Sequence, residues 1–173
     1  MGLSTALVLG SGGCTSGELA FWDFYRGQVV DAATGNPLEG VLVVFVWERH
    51  AYSEVRKRIT TEVHAATEVL TDANGHFEVS AAPETTFRPS VVEVRRTDPI
   101  FFKPGYFLLY RVKSKGEPMR DPTIIYLKRA DNPLEALEGL SSDYPFGRTP
   151  MFLKALNEER ARLGLPPIRP SQN

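Results

Sequence analysis

The stretch VLVVFVW, residues 41–47, is apolar at every position. A continuous β-branched and aromatic run of this length predicts a strand buried on both faces, between two sheets or under a helix. Six further short runs carry strand character: YRGQVVD (25–31), ATEVLTD (66–72), HFEVS (76–80), SVVEVRR (90–96), YFLLYRV (106–112) and TIIYLKR (123–129). Turn residues separate them. Gly35, Asn36 and Pro37 lie between the first two strands, and Pro104-Gly105 and Glu117-Pro118 flank the sixth. Asn74-Gly75 is the strongest hairpin signal, because both residues tolerate positive φ. Short strands with frequent turns predict an antiparallel β-sandwich. The stretch ERHAYSEVRKRITTEVH (48–64) reads as a solvated loop or hairpin tip, with Arg56-Lys57-Arg58 as the densest basic run. Such a run could also meet anionic headgroups, where each basic residue contributes about 1 kcal/mol.

Beyond Arg129 the pattern changes to helix signals. Asn132-Pro133-Leu134-Glu135 supplies a cap, a proline at the first helical position and a carboxylate in the first turn. This predicts a short helix ending near Gly139. SSDYPFGR (141–148) reads as a loop. Thr149-Pro150 opens a second helix that Gly164 closes, with Pro166 and Pro167 beyond. Phe152, Leu153, Leu156 and Leu163 form one apolar stripe on it, opposite the polar Asn157 to Arg160. The stripe predicts that the helical segment, 131–165, packs on the sandwich. A partner-binding helix is the alternative. Residues 166–173 read as a disordered tail.

Composition narrows the classes. The chain has 173 residues, 42% of them hydrophobic, and a net charge of −1. That is enough for one domain with a core. It gives no basic footprint for nucleic acid. One cysteine cannot form an internal disulfide or supply a cysteine-rich zinc site.

That cysteine, Cys14, ends a distinctive stretch. Residues 3–13, LSTALVLGSGG, are apolar or small and uncharged. An apolar centre followed by small residues is the pattern of a secretory signal. Its end resembles the bacterial lipobox, in which small residues precede a cysteine that receives a diacylglyceryl thioether. Ser11 stands where that pattern usually has Leu, and no Lys or Arg precedes Arg26. The resemblance implies a signal peptide over 1–14, lipidation of Cys14 and a tether over 15–23. Cleaved soluble export, or a cytosolic tail with an incidental cysteine, are the alternatives. Thr15 after the cysteine, by resemblance to Gram-negative sorting rules, implies the outer membrane.

The body of the chain carries a second resemblance. GQVVDAATGNPLEGVLVVF (27–45) is similar to the opening hairpin of carboxypeptidase regulatory-like domains, also called transthyretin-like or peptidase-associated domains. TDANGHFEVS (71–80) resembles their third and fourth strands, and KPGYFLLY (103–110) their later Pro-Gly-Tyr strand. Trp47 and His64 fit the form such domains take in bacterial lipoproteins. The resemblance covers residues 24–130. It implies a mainly β fold: a seven-stranded antiparallel Greek-key sandwich of transthyretin (prealbumin) type, here with two short C-terminal helices.

Candidate chemistry is sparse. His64 and Glu68, four apart, would share one strand face. Zinc needs three or four ligands, and the H-E-x-x-H pattern is absent. His50 and His76 complete the histidines. No G-x-S-x-G elbow or P-loop occurs. Tyr25-Arg26-Gly27 stands at the wrong end of the domain for the Tyr-Arg-Gly-Ser signature of transthyretin-fold hydrolases. No catalytic residue, metal ligand or cofactor site is therefore nominated. The expectation is a non-catalytic lipoprotein, facing the periplasm from the outer membrane through its N-terminal lipid. It would bind or scaffold, with an envelope protein as a possible partner. The alternatives are a small transthyretin-fold hydrolase or metal-binding protein, and a soluble periplasmic location.

Overall fold

The computed structural model describes residues 24–80, 91–97, 99–109, 123–137 and 144–170. The fold is mainly β, with two sheets packed face to face and one α-helix on an outer face. The strands among the described residues are β1 (Phe24–Asp31), β2 (Leu42–Ser53), β3 (Arg58–Leu70), β4 (His76–Ser80), β5 (Val91–Arg96), β6 (Ile100–Phe102) and β7 (Thr123–Leu127). One sheet has the order β4-β1-β7. The other has the order β3-β2-β5, and β6 also pairs with β2. β5 lies against Trp47–Ala51 and β6 against Leu42–Val44, so the two share one edge of β2. Thr97 bridges the gap between them, its amide donating to the Val46 carbonyl at 2.9 Å.

Alternation along β2 builds two cores. Val43, Phe45 and Trp47 face the first sheet and meet Tyr25, Val29, Phe77, Val79, Ile125 and Leu127. Leu42, Val44 and Val46 point the other way. With Ile100, Phe102 and Leu108 they lie under Phe146, Phe152 and Leu156. A strand with a core on each side has no polar face, so residues 41–47 are apolar throughout.

One end of the sandwich is tied by short polar bonds. The Thr71 hydroxyl donates to the Leu38 carbonyl at 2.6 Å and accepts the Val41 amide at 2.9 Å. At the β3–β4 turn, Asp72 Oδ1 accepts the amides of Asn74 and His76 at 2.9 and 2.8 Å. Gly75 has φ +74°, and a Cβ there would stand 2.4 Å from the Val29 carbonyl oxygen. Glycine is required at this position for backbone shape and for space alike.

Several expectations need correction. Asn74-Gly75 closes no hairpin, because β3 and β4 lie in different sheets and the turn carries the chain from one to the other. The sandwich is not antiparallel throughout, because β1 and β7 pair in parallel from Gly27↔Thr123 to Asp31↔Leu127. Parallel neighbours need a crossover, and here the whole second sheet lies between them in sequence. Residues 106–109 do not form a strand, and 110–112 lie outside the described residues. The Phe101 amide donates to the Leu109 carbonyl at 2.8 Å, while the Phe107 amide donates to the Lys128 carbonyl at 2.9 Å. This segment bonds to both sheets and so cannot run as a strand in either. The strand nearby is β6, which pattern reading omits.

Of the two readings of 48–64, loop or hairpin tip, the structure forms the hairpin, with more of the segment in strand than a tip implies. β2 and β3 pair residue for residue from Glu48↔Val63 to Ser53↔Arg58, with the turn at residues 54–57. β3 therefore begins at Arg58 and ends at Leu70, where the sequence suggested 66–72.

Among the described residues one α-helix forms where two were expected. α1 spans Pro150–Arg162. The earlier segment is a single 3₁₀ turn, Glu135–Leu137, and 138–143 lie outside the described residues. The Leu108 amide takes the Ala136 carbonyl at 3.2 Å, an acceptor that a continuing helix would use for itself. A second 3₁₀ turn, Phe146–Arg148, occupies the stretch read as a loop. Residues 166–170 do not trail away as a tail. Asn157 and Ile168 exchange two hydrogen bonds, at 2.7 and 3.0 Å, and Arg160 donates to the Pro166 carbonyl at 2.7 Å.

Candidate functional site

The most polar interior cluster gathers where β1 ends. Asp31 is buried, at 2% exposure, before the turn that leads towards β2. Its Oδ1 accepts the amides of Ala33 and Thr34 at 2.9 and 3.0 Å, a turn in which a carboxylate replaces a backbone acceptor. Its Oδ2 accepts the Tyr106 hydroxyl at 2.9 Å and Arg129 Nε at 3.1 Å. The Arg129 guanidinium also lies over the Tyr106 ring, 5.4 Å from its centroid. The cluster joins β1, the segment after β6 and the end of β7.

Its electrostatics fix where each proton stays. The Tyr106 hydroxyl above all, then the two turn amides and Arg129, hold the Asp31 carboxyl well below the usual carboxylate range despite its burial. Burial, and then the bond to Asp31, push the Tyr106 phenol up. The bonds to Asp31 and Tyr106 raise the Arg129 guanidinium. General acid–base work at neutral pH needs a group poised near that pH. This cluster offers a fixed anion, a neutral phenol and a fixed cation, which suits a latch between the β4-β1-β7 sheet and the segment that follows β6.

A second use of a carboxylate occurs at α1. Glu68 on β3 accepts the amides of Met151 and Phe152 at 3.0 and 2.6 Å, two donors that a helix start leaves unpaired. Thr149 precedes the helix, but its hydroxyl donates to the Pro145 carbonyl at 3.4 Å and does not cap. The anionic cap also meets the positive end of the helix dipole. Near it, burial pushes the Tyr144 phenol up, reinforced by the charge of Glu68.

The residues singled out in the sequence are spread over the molecule. Cys14 lies outside the described residues. Glu68, expected beside His64, is the helix cap. His64 is the extra residue of a β-bulge, because Trp47 pairs with Ala65 and Glu48 with Val63. His50 is further along the same hairpin, its Nδ1 3.3 Å from the Thr61 hydroxyl and its Nε2 3.9 Å from Glu48. His76 is on β4, in the other sheet. Among the described residues no three His, Cys, Asp or Glu side chains form a group suited to a metal ion. Trp47 is buried and stacks on Phe45 at 6.1 Å. Phe152 and Leu156 are fully buried, Leu153 packs beside them, and Leu163 is half-buried. A shallow cleft of about 260 Å³ opens beside α1, with Leu42, Leu70, Phe102, Met151 and Ala155 in its lining. Ligand pockets usually run from about 300 to 1,000 Å³, so this one is small.

No family model matches the chain, and no curated protein matches it. Among solved structures, the group B streptococcus pilus 2b backbone protein is similar over 63% of this chain and 42% of that one. The identity is 13% and the TM-score 0.32, and the chain spans less than half the length of that protein. Nothing about role follows from a likeness at that level.

Pattern reading missed the Asp31 cluster and the Glu68 cap. For Asp31 a signal existed, since Asp before Ala-Ala-Thr at a strand end is a side-chain-closed turn. Its partners Tyr106 and Arg129 are 75 and 98 residues away, so nothing local marks them. Glu68 caps a helix 83 residues on, which no local capping pattern encodes.

Proposed function

We propose that this chain is a lipid-anchored, non-catalytic binding or scaffolding module of the bacterial cell envelope. Cys14 carries the lipid and holds the domain on the periplasmic side of the outer membrane. Its body is a carboxypeptidase regulatory-like sandwich with seven-stranded Greek-key, transthyretin-like wiring. Two of the three stretches that carry that resemblance, β1 to β2 and the β3–β4 turn, are strand–turn–strand segments, each linking the two sheets where the resemblance implied an opening hairpin for the first.

The observation that carries the non-catalytic reading is the employment of the polar side chains. Asp31 is held by four donors and Glu68 by two helix amides. The histidines are divided between two sheets. The groups that could do chemistry are engaged in holding the fold or stand apart from one another.

The test starts from the anchor. The wild type should partition with membranes and carry the mass of an acylated cysteine, and Cys14→Ser should do neither. Crosslinking in intact cells should then retain an envelope protein on the wild type. A wild-type chain that is unacylated and cytosolic would refute the proposal, as would turnover of a small substrate by the purified domain.

A further inference from the structure

The β2–β3 hairpin forms an arm, flanked by β5 only as far as Ala51, and its tip beyond that point has an unusual surface. Val55 at the apex is 95% exposed. Tyr52 and Ile59 are a cross-strand pair just below it, 40% and 55% exposed. Arg56 and Arg58 flank these residues, and among the described residues neither side chain has an ion-pair or hydrogen-bond partner. The acids nearby are neutralised locally: Glu54 pairs with Lys57 at 2.7 Å and Glu62 with Arg49 at 2.5 Å. The tip therefore presents two free cations around an exposed aromatic and aliphatic cluster. Lys57 is held at φ +50°, which gives the turn a defined shape.

The arm's direction follows from the topology. β1 runs from Phe24 to Asp31, at the end where Thr71, Leu38 and Val41 are tied together. β2 starts at that end and runs back, so that Phe45 meets Tyr25, near the start of β1, at 5.1 Å. The arm continues beyond Trp47. It projects from the end of the domain at which the chain enters β1. From Trp47 to Ser53, where the turn begins, the strand rises about 20 Å. The residues from 15 to 23 that link Cys14 to β1 can span about 30 Å at most. The tether is long enough for Cys14 to stand level with the tip.

We infer that the arm tip docks on an anionic bilayer surface. Val55, Tyr52 and Ile59 enter the headgroup boundary, and Arg56 and Arg58 meet lipid phosphates. Together with a lipid on Cys14 the arm makes a two-point attachment, which would fix the orientation of the sandwich. The tip's affinity itself is independent of the lipoprotein reading. Only the comparison with the tether rests on it.

The test uses the full chain carrying Cys14→Ser, so that no acyl group contributes. Its co-sedimentation is measured with vesicles of phosphatidylcholine alone and with vesicles containing phosphatidylglycerol. Binding should require the anionic lipid and weaken with salt. Each arginine contributes about fivefold, so the double variant Arg56→Gln, Arg58→Gln should bind about 25-fold more weakly. Val55→Asp should weaken binding even with both arginines present. A circular dichroism melt checks that the variants stay folded. Equal binding to neutral vesicles, or a double variant that binds like its parent, overturns the inference. So does a photocrosslinker at position 55 that captures protein and not lipid in cells. If the unacylated chain ignores vesicles while the wild type is acylated, the arm proposal falls and the anchor stands. If it binds vesicles while the wild type is never acylated, the reverse holds.

Discussion

Truncating Leu156 to alanine tests whether α1 is part of the folded unit. The side chain is fully buried between Phe152 and the outer face of β2. The change removes three carbons, worth about 2.4 kcal/mol at about 0.8 kcal/mol for each buried methylene. The cavity left behind adds to this, and buried Leu→Ala changes cost about 2–5 kcal/mol in all. Taking about 3 kcal/mol, and a urea dependence of about 2 kcal/mol per molar, the midpoint should fall by about 1.5 M. The assay is equilibrium urea unfolding of the Cys14→Ser chain, followed by fluorescence and circular dichroism. Met151→Ala is the control. Met151 is on the same helix but 43% exposed, so its midpoint should move by no more than about 0.3 M. A Leu156→Ala midpoint within that same margin would refute the packing argument. The helix would then be an undocked element with its apolar stripe free.

Two further changes probe the polar ties. Asp31 has its folded pKa depressed, so its stabilisation is complete above the ordinary carboxylate value of about 3.9 and is lost as pH falls below it towards the folded value. Wild-type urea midpoints should therefore drop between pH 5 and 3 more steeply than those of Asp31→Asn, which should already be less stable at pH 7; parallel profiles would discount the latch. Glu68→Ala removes the α1 cap and should cost about 0.5–2 kcal/mol, with faster amide exchange at Met151 and Phe152 as its specific signature.

The legibility of the fold varied with the range of the interactions involved. The two-sided burial of β2 was legible because seven consecutive apolar residues leave no face for water. The chain reversal at Asn74-Gly75 and the start of α1 at Thr149-Pro150 were legible because the cause is local, but that the reversal joins two sheets instead of closing a hairpin was not. Of the hairpin arm only the tip was legible, not the length of its strands. RITTEV does alternate, with Ile59, Thr61 and Val63 on one face and Arg58, Thr60 and Glu62 on the other, but the apolar face has only two strongly apolar residues and follows a basic run, so the signal is weak. β6 is only three residues long, too short to show any period. The Pro-Gly-Tyr stretch has strand composition, yet its backbone bonds go to both sheets, a long-range division that composition cannot encode. The same reason hid the Asp31 cluster and the Glu68 cap.

The double duty of β2 also has a kinetic side. Its outer face at Val44 is finally covered by Leu156, more than a hundred residues later in the chain. At a synthesis rate of about 5–20 residues per second, that face waits on the order of 5–20 s for its lid. Throughout that interval the chain carries a seven-residue, uncharged, β-prone segment of the kind that seeds strand-to-strand aggregation. Glu39 stands just before it and Glu48-Arg49 just after it. Charges in those places act as gatekeepers, discouraging a second nascent chain from extending the ladder before β3, β5, β6 and α1 arrive.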